Sequence, residues 1–217
     1  MYIQNSSCYW NNRYKSGGNS GTGSYGHLAQ FKADILNEFF EKHEIRKVID
    51  YGCGDGYQLS LLKMNKYVGY DVSREIIRRN RERFVEDASK EFYEYDEYEK
   101  HLDENNKEND CALSMDVIFH LVEDEVYYKY MMRLFSTPNI KYVIIYSTNH
   151  EGYRAEHVRD RQFDIFISIH FKTWKLCRFI HNPYHAIPYP EGSISNFYIY
   201  KRVVNDRLHT ESDTVLS

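Results

Sequence analysis

The chain predicts an α/β fold, a mostly parallel β-sheet covered by helices and finished by a C-terminal antiparallel strand pair. Three observations predict it. Short β-branched or aromatic runs alternate with segments of helical period, the pattern of strands joined through covering helices. The first clear run, Lys47 to Tyr51 (KVIDY), passes straight into a glycine-rich turn that opens a helix. The last two runs are separated by Pro and Gly, which fits an antiparallel pair with a long loop.

The elements follow in order. Leu28, Phe31, Ile35, Leu36, Phe39 and Phe40 keep helical spacing and predict a first helix before the strand at Lys47. Lys66 to Tyr70 (KYVGY) is the second strand, and Ser73 caps a helix through Phe84, because its hydroxyl can accept a free N–H of the first turn. Glu91 to Tyr95 and Cys111 to Met115 are the third and fourth strands. The helix Asp124 to Phe135 then leads to the clearest strand, Tyr142 to Tyr146 (YVIIY). Trp174 to Ile180 and Phe197 to Val204 complete six or seven strands. Asp103 to Asp110 reads as a surface loop and Asn205 to Ser217 as a disordered tail. Ser16 to Gly26 holds five Gly and three Ser in eleven residues, a flexible loop by composition.

Bulk properties narrow the function. A chain of 217 residues suits one sizeable domain, and 42% hydrophobic with 28% charged residues matches a soluble globular protein. The net charge of −4 comes without a basic stripe to neutralise a row of phosphates, which argues against a nucleic-acid partner. Cys8, Cys53, Cys111 and Cys177 form no CxxC pair, so neither zinc nor a disulfide framework is expected. No apolar run approaches the roughly 20 residues of a membrane span, and the polar opening is unlike a secretory signal, so a cytoplasmic location is expected. Scattered His and Asp lack HExxH-type spacing, and no metal is expected. The abundance of rings, 21 Tyr and 12 Phe with 2 Trp, suits a core and a ligand cleft equally.

The chemistry centres on Val48 to Gly56 (VIDYGCGDG). Glycines allow a tight turn and close approach by a ligand, and the following helix offers unpaired N–H groups. Asp50 precedes Gly52 by two residues, and Asp71 ends the second strand 19 residues after Gly52, where a carboxylate can accept both hydroxyls of a ribose. Dinucleotide sites favour GxGxxG, whereas the third glycine here comes two residues beyond the second, which disfavours a nicotinamide cofactor. Asp50-x-Gly52-x-Gly54-x-Gly56 resembles the first motif of class I S-adenosylmethionine-dependent methyltransferases, and Tyr67 to Ser73 (YVGYDVS) resembles their second. With three further stretches in the expected order, the resemblance covers most of residues 9 to 204.

The resemblance implies a Rossmann-like seven-stranded methyltransferase fold that binds S-adenosyl-L-methionine. It gives Asp50 the methionine amino group, Asp71 the ribose, and Asp96 the adenine amino group, with Glu94 and Glu97 as alternatives. Gly52, Gly54, Gly56 and Arg13 join the cofactor set. Asp110 to Glu125 resembles the segment beneath the sulfonium, which sets Met115 by the cofactor and turns Asp116 and His120 toward the acceptor as catalytic candidates. A histidine with a pKa near ~6.5 can take a hydroxyl proton at neutral pH, and a nearby carboxylate can fix its tautomer.

Tyr9 to Gly26 (YWNNRYKSGGNSGTGSYG), continued by Leu28 to Ala33 (LAQFKA), resembles the opening of methyltransferases from bacterial capsule and viral glycan-modifying systems. Trp10, Arg13 and Tyr14 then anchor a lid over the cofactor. Ser20, His157 and Arg161 are expected at the acceptor, and the region's arginines suit an anionic one. The organisation expected is an N-terminal segment and lid over 1–26, a methyltransferase domain over 27–204 and the tail over 205–217. The function expected is O-methylation of a sugar hydroxyl on a surface glycan or its precursor. A phosphorylated or phosphoramidate-type metabolite is the alternative acceptor, and a non-catalytic cofactor-binding partner of another methyltransferase is the rival from a different class. Oligomeric state stays open.

Overall fold

The computed structural model describes residues 5–100 and 109–203. Helix α1 (Ser6–Lys15) begins at Asn5, whose side chain accepts the Cys8 N–H, and leads through turns to α2 (Gly26–Lys42). Then come β1 (Lys47–Tyr51), α3 (Tyr57–Ser60), β2 (Lys66–Asp71), α4 (Arg74–Arg83), β3 (Lys90–Glu94) and β4 (Cys111–Met115). Helix α5 (Asp124–Ser136), β5 (Tyr142–Ser147), a hairpin of β6 (Gly152–Ala155) and β7 (Val158–Asp160), α6 (Phe163–His170), β8 (Trp174–Ile180) and β9 (Asn196–Arg202) complete the order.

Seven strands form one sheet in the order β3-β2-β1-β4-β5-β9-β8. The first five are parallel, with Asp50 opposite Gly69 on one side and Leu113 on the other; β9 is antiparallel to both β5 and β8. Strand order reverses between β1 and β4, so a crevice opens beyond their carboxyl ends, the usual ligand position of open α/β sheets. Two buried clusters fill the faces of the sheet. Leu36, Phe39 and Phe40 of α2 pack with Val48 and Ile144, while Tyr130, Met131 and Leu134 of α5 pack with Ile49 and Val143 on the other face. A strand buried on both faces must be apolar throughout, which is why β5 reads YVIIYS.

The strand expectations match the structure closely. Ser73 does cap α4, its hydroxyl accepting the Ile76 N–H. The third strand starts at Lys90, one residue early, because Tyr95 already belongs to a 3₁₀ turn closed by Glu94 and Glu97. Three elements are additional, α1, the β6–β7 hairpin and α6, while α3 is the helix expected after the glycine-rich turn. Ser16 to Tyr25, expected to be flexible, is tethered: Ser20 exchanges hydrogen bonds with Asp55, and Tyr25 Oη donates to the same carboxylate. The loop from Asp103 lies outside the described residues through 108, as do Val204 and the expected tail. Among the described residues no helix is long and apolar enough to cross a membrane.

Candidate active site

The turn after β1 is built on left-handed backbone. Gly52 (φ 92°), Gly54 (φ 56°) and Gly56 (φ 73°) occupy conformations that side chains rarely adopt. At Gly54 space is also closed, since a Cβ would stand 2.5 Å from Ser20 Oγ. Gly52 is hemmed in the same way by Val117 and Gly56 by Phe84 and Asn80. Asn80, buried on α4, donates to the Gly54 carbonyl at 2.7 Å and holds the turn.

A cavity of about 320 Å³ lies against this turn at the β1–β4 crevice. Asp50 and Asp71 border it from the ends of β1 and β2. Tyr67 Oη donates to Asp50 Oδ2 at 2.7 Å, while Oδ1 is buried with no hydrogen-bond partner among the described residues. Asp71 accepts the Gly54 N–H at 3.1 Å and the Ser73 N–H at 2.9 Å, one on each oxygen, so each keeps a lone pair. Burial raises both carboxyls to about 6, because the charged form loses water. For Asp50 the Tyr67 hydrogen bond opposes that rise, and for Asp71 the backbone N–H groups do.

The N-terminal segment roofs the cavity. Trp10, Tyr14 and Ser20 border it, and Tyr14 Oη lies 3.0 Å from Ser20 Oγ. Three ties fix α1 in place. Ser6 N–H donates to Glu123 at 2.8 Å, Ser73 Oγ to Asn11 at 3.3 Å, and Arg79 Nη2 to the Tyr14 carbonyl at 2.9 Å. Trp10 sets its ring edge-on to His120, centroids 4.8 Å apart.

Met115, Asp116 and His120 border the cavity from the exit of β4. Asp116 adopts φ 58°, a strained backbone for a residue with a side chain. Its carboxylate receives Lys32 Nζ on Oδ2 at 2.7 Å and Ser195 Oγ on Oδ1 at 3.2 Å. His120 Nδ1 lies 3.0 Å from the His157 carbonyl, which can only accept, so the proton sits on Nδ1 and Nε2 is left as the acceptor. Burial pushes the His120 pKa down to about 4, which makes Nε2 a weaker base than an ordinary histidine.

Of the residues expected from sequence, Ser20, Asp50, Gly52, Gly54, Asp71, Asp96, Met115, Asp116 and His120 share this one cavity. Gly56, Arg13, His157 and Arg161 do not border it. Arg13 donates from Nε to the Asn19 carbonyl at 2.7 Å and shapes the loop. The His157 ring stacks on Tyr9 at 4.3 Å. Arg161, expected at the acceptor, is 3% exposed and fully engaged: it donates to the Leu121 and Val122 carbonyls and pairs with Asp124. Arg159 shares Val122 and Asp124.

Lys32 and Gln58 are among the cavity residues that escaped the sequence reading. Lys32 is 1% exposed although charged, standing in the buried stripe of α2 with Leu28, Ala29, Ala33 and Leu36. That position was the available signal, because a lysine inside an apolar stripe needs a counter-charge. Gln58 is the second residue of the short α3 and left no pattern to read.

The donor set fits S-adenosyl-L-methionine. Asp50, Asp71, Asp96 and Asp116 border the cavity against only two lysines, Lys32 and Lys129, an excess of negative charge that suits a sulfonium and an ammonium. Asp50 Oδ1 is a buried acceptor lacking a donor, as a site for an ammonium requires. Among the described residues no group of three His, Cys, Asp or Glu could hold a metal ion.

Comparison with solved structures bears on the fold. The methyltransferase domain of bacterial CtHen1-C superposes with a TM-score of 0.62 at 21% identity, covering 82% of this chain and 100% of that one. The N-methyltransferase NodS from Bradyrhizobium japonicum WM9, in complex with S-adenosyl-L-homocysteine, gives 0.60 at 13%, covering 80% and 85%. Magnesium protoporphyrin IX methyltransferase (ChlM) from Synechocystis PCC 6803, with bound S-adenosylmethionine, gives 0.57 at 15%, covering 89% and 93%. At these identities the likeness is one of fold. No curated protein matches the chain by sequence. The family described as a methyltransferase domain matches residues 25–172, and the chain belongs to that family as an S-adenosylmethionine-dependent methyltransferase.

Proposed function

We propose that this enzyme is an O-methyltransferase acting on a neutral hydroxyl, a sugar hydroxyl of a surface glycan or its precursor. The observation that carries the neutral acceptor is the engagement of Arg159 and Arg161. Arg161 is held by the Leu121 and Val122 carbonyls and by Asp124, Arg159 donates to Val122 and the same carboxylate, and neither borders the cavity where it could clamp a phosphate. The acidic balance of the cavity also disfavours an anionic acceptor. For the glycan, the support is the resemblance of Tyr9 to Gly26 and Leu28 to Ala33 to the capsule and viral subgroup. Trp10 agrees with it, because a ring in the cavity roof suits the C–H face of a sugar while the neighbouring polar groups suit its hydroxyls.

When bound, S-adenosylmethionine supplies a methyl carbon on a sulfonium, and transfer to a hydroxyl oxygen breaks the carbon–sulfur bond toward sulfur and releases one proton. In this reading Asp50, Asp71 and Asp96 hold the cofactor, and the Gly52–Gly54 turn lets it approach the backbone. Trp10, Tyr14 and Ser20 exclude water. Asp116 takes the hydroxyl proton at Oδ1 while Lys32 holds Oδ2, and His120, weakened as a base by burial, forms the neutral wall beside it. Alignment of the reacting atoms supplies the rest of the acceleration.

The test is transfer of labelled methyl from S-adenosylmethionine to a panel of methyl glycosides and neutral oligosaccharides, with nucleotide sugars, phosphate monoesters and a phosphoramidate as the second arm. Product in the first arm alone is the expected result. Product in the second arm alone overturns the reading.

A further inference from the structure

Two residues that border the cavity each hold a buried acceptor atom without a donor. One is Asp50 Oδ1, at the end of β1; the other is Gln58 Oε1, on α3, beyond the glycine turn. Neither has a hydrogen-bond partner among the described residues. A buried polar atom without a partner costs stability unless a ligand supplies what it lacks.

The orientation of the Gln58 amide is fixed by its neighbour. Its Nε2 donates to the Ala29 carbonyl at 3.1 Å. Reversing the amide would set oxygen against that carbonyl oxygen, so Oε1 must be the end left over. Both orphaned atoms are therefore pure acceptors, and water or a neutral donor is not the only group that suits them. Lys32, the buried cation of the site, does not serve them, since its ammonium is hydrogen-bonded to Asp116. Two acceptors flanking one turn, one of them a carboxylate oxygen, match an ammonium, which carries three N–H donors and no acceptor.

We propose that Gln58 is a further cofactor-binding residue, which together with Asp50 holds the α-ammonium of the methionine portion of S-adenosylmethionine. Asp50 provides charge and Gln58 provides direction. The pair selects an amino-acid-bearing cofactor over other adenosine thioethers, because without an ammonium both acceptors stay buried and unpaired.

The test needs no methyl acceptor. Calorimetric titration of the full chain uses three probes: S-adenosylhomocysteine, its decarboxylated form, which keeps the amine, and 5′-methylthioadenosine, which lacks both amine and carboxylate. Gln58→Leu should lose about tenfold or more in affinity for the first two, the size of a hydrogen bond to a charged group, and stay within about twofold for the third. Gln58→Met, which keeps the length of the side chain, should repeat the result and serves if the leucine variant does not fold. An equal loss for all three probes would assign Gln58 to the fold or to the adenosine portion and overturn the proposal. Unchanged affinity for S-adenosylhomocysteine would overturn it too, as would a loss that spares the decarboxylated probe, since that pattern points to the carboxylate.

Discussion

Lys32 Nζ and Asp116 Oδ2 stand 2.7 Å apart at the floor of the cavity, joining a lysine that is 1% exposed to a carboxylate held on strained backbone at the exit of β4. Breaking such a pair from one side leaves the other charge uncompensated. Lys32→Met should therefore destabilise the protein by roughly 3–5 kcal/mol, and adding Asp116→Asn, which removes the second charge and suits the left-handed backbone, should return part of it. Denaturant unfolding of the three variants checks this. A single variant as stable as wild type would mean that water reaches the pair.

Asp116→Asn keeps the shape of the side chain and removes its charge, so cofactor affinity should stay within a few-fold while methyl transfer falls by roughly 10²–10⁴. His120→Gln should cost less than tenfold. The comparison is made at saturating cofactor with whichever glycoside of the panel is methylated, and a larger loss at His120 would return the proton to Nε2.

Asp71→Ala should weaken S-adenosylmethionine binding by about 1–3 kcal/mol, since the ribose hydroxyls lose a charged acceptor. Acid should imitate it. Burial holds Asp50 and Asp71 at about 6 in the folded empty protein, above their ordinary 3.8, so between these values the folded state binds more protons than the unfolded one. The two groups accordingly favour the empty fold as pH falls through that window, while the cofactor, which needs them ionised, binds less tightly. Titration calorimetry at about pH 7.5 and about pH 5 should show weaker binding in acid.

His120 runs the other way. Its folded pKa of about 4 lies below the ordinary 6.5, so the unfolded chain binds more protons between the two, and stability present above 6.5 is lost as pH falls toward 4. Nitrogen-15 NMR of the ring at about pH 5.5 should still show a neutral imidazole protonated on Nδ1. An imidazolium signal there would contradict the burial argument.

Gly54→Ala meets two obstacles, a left-handed φ of 56° and Ser20 Oγ at 2.5 Å from the new Cβ. The roof must lift, so cofactor affinity should drop about tenfold or more and protease should cut sooner within residues 16–25. Adding Ser20→Gly should recover part of the affinity by removing the collision, though not the strain. A Gly54→Ala protein that binds normally would show that the roof does not rest on the turn.

The sheet was legible because β1, β2, β4 and β5 are buried on both faces and are rich in apolar or aromatic residues, with glycines at the turn after β1. Helix α1 was not, because Tyr9, Trp10 and Tyr14 stand among Asn, Ser and Lys without an apolar stripe, and its order comes from the Asn5 cap and tertiary ties. Helix α6 (FDIFISIH) is apolar nearly all round and gives no helical period to read. At the site, motif spacing led to the residues on strand ends, whose positions follow from local sequence. Lys32 and Gln58 reach the cavity from α2 and α3, and the meeting of Lys32 with Asp116 and of Gln58 with the Ala29 carbonyl depends on how helices pack. Arg161 was misjudged for the converse reason, since a charge near a strand end reads the same whether it faces a ligand or, as here, neighbouring carbonyls.

The family match begins at residue 25, whereas the ties that close the cavity begin at Ser6. A chain that began at residue 25 would keep all seven strands, yet lose Trp10, Tyr14 and Ser20 from the border of the cavity. The unit that folds and the unit that works thus have different beginnings in this chain. The first twenty described residues add no strand, and they put a roof of Trp10, Tyr14 and Ser20 on a crevice that the sheet alone leaves bare.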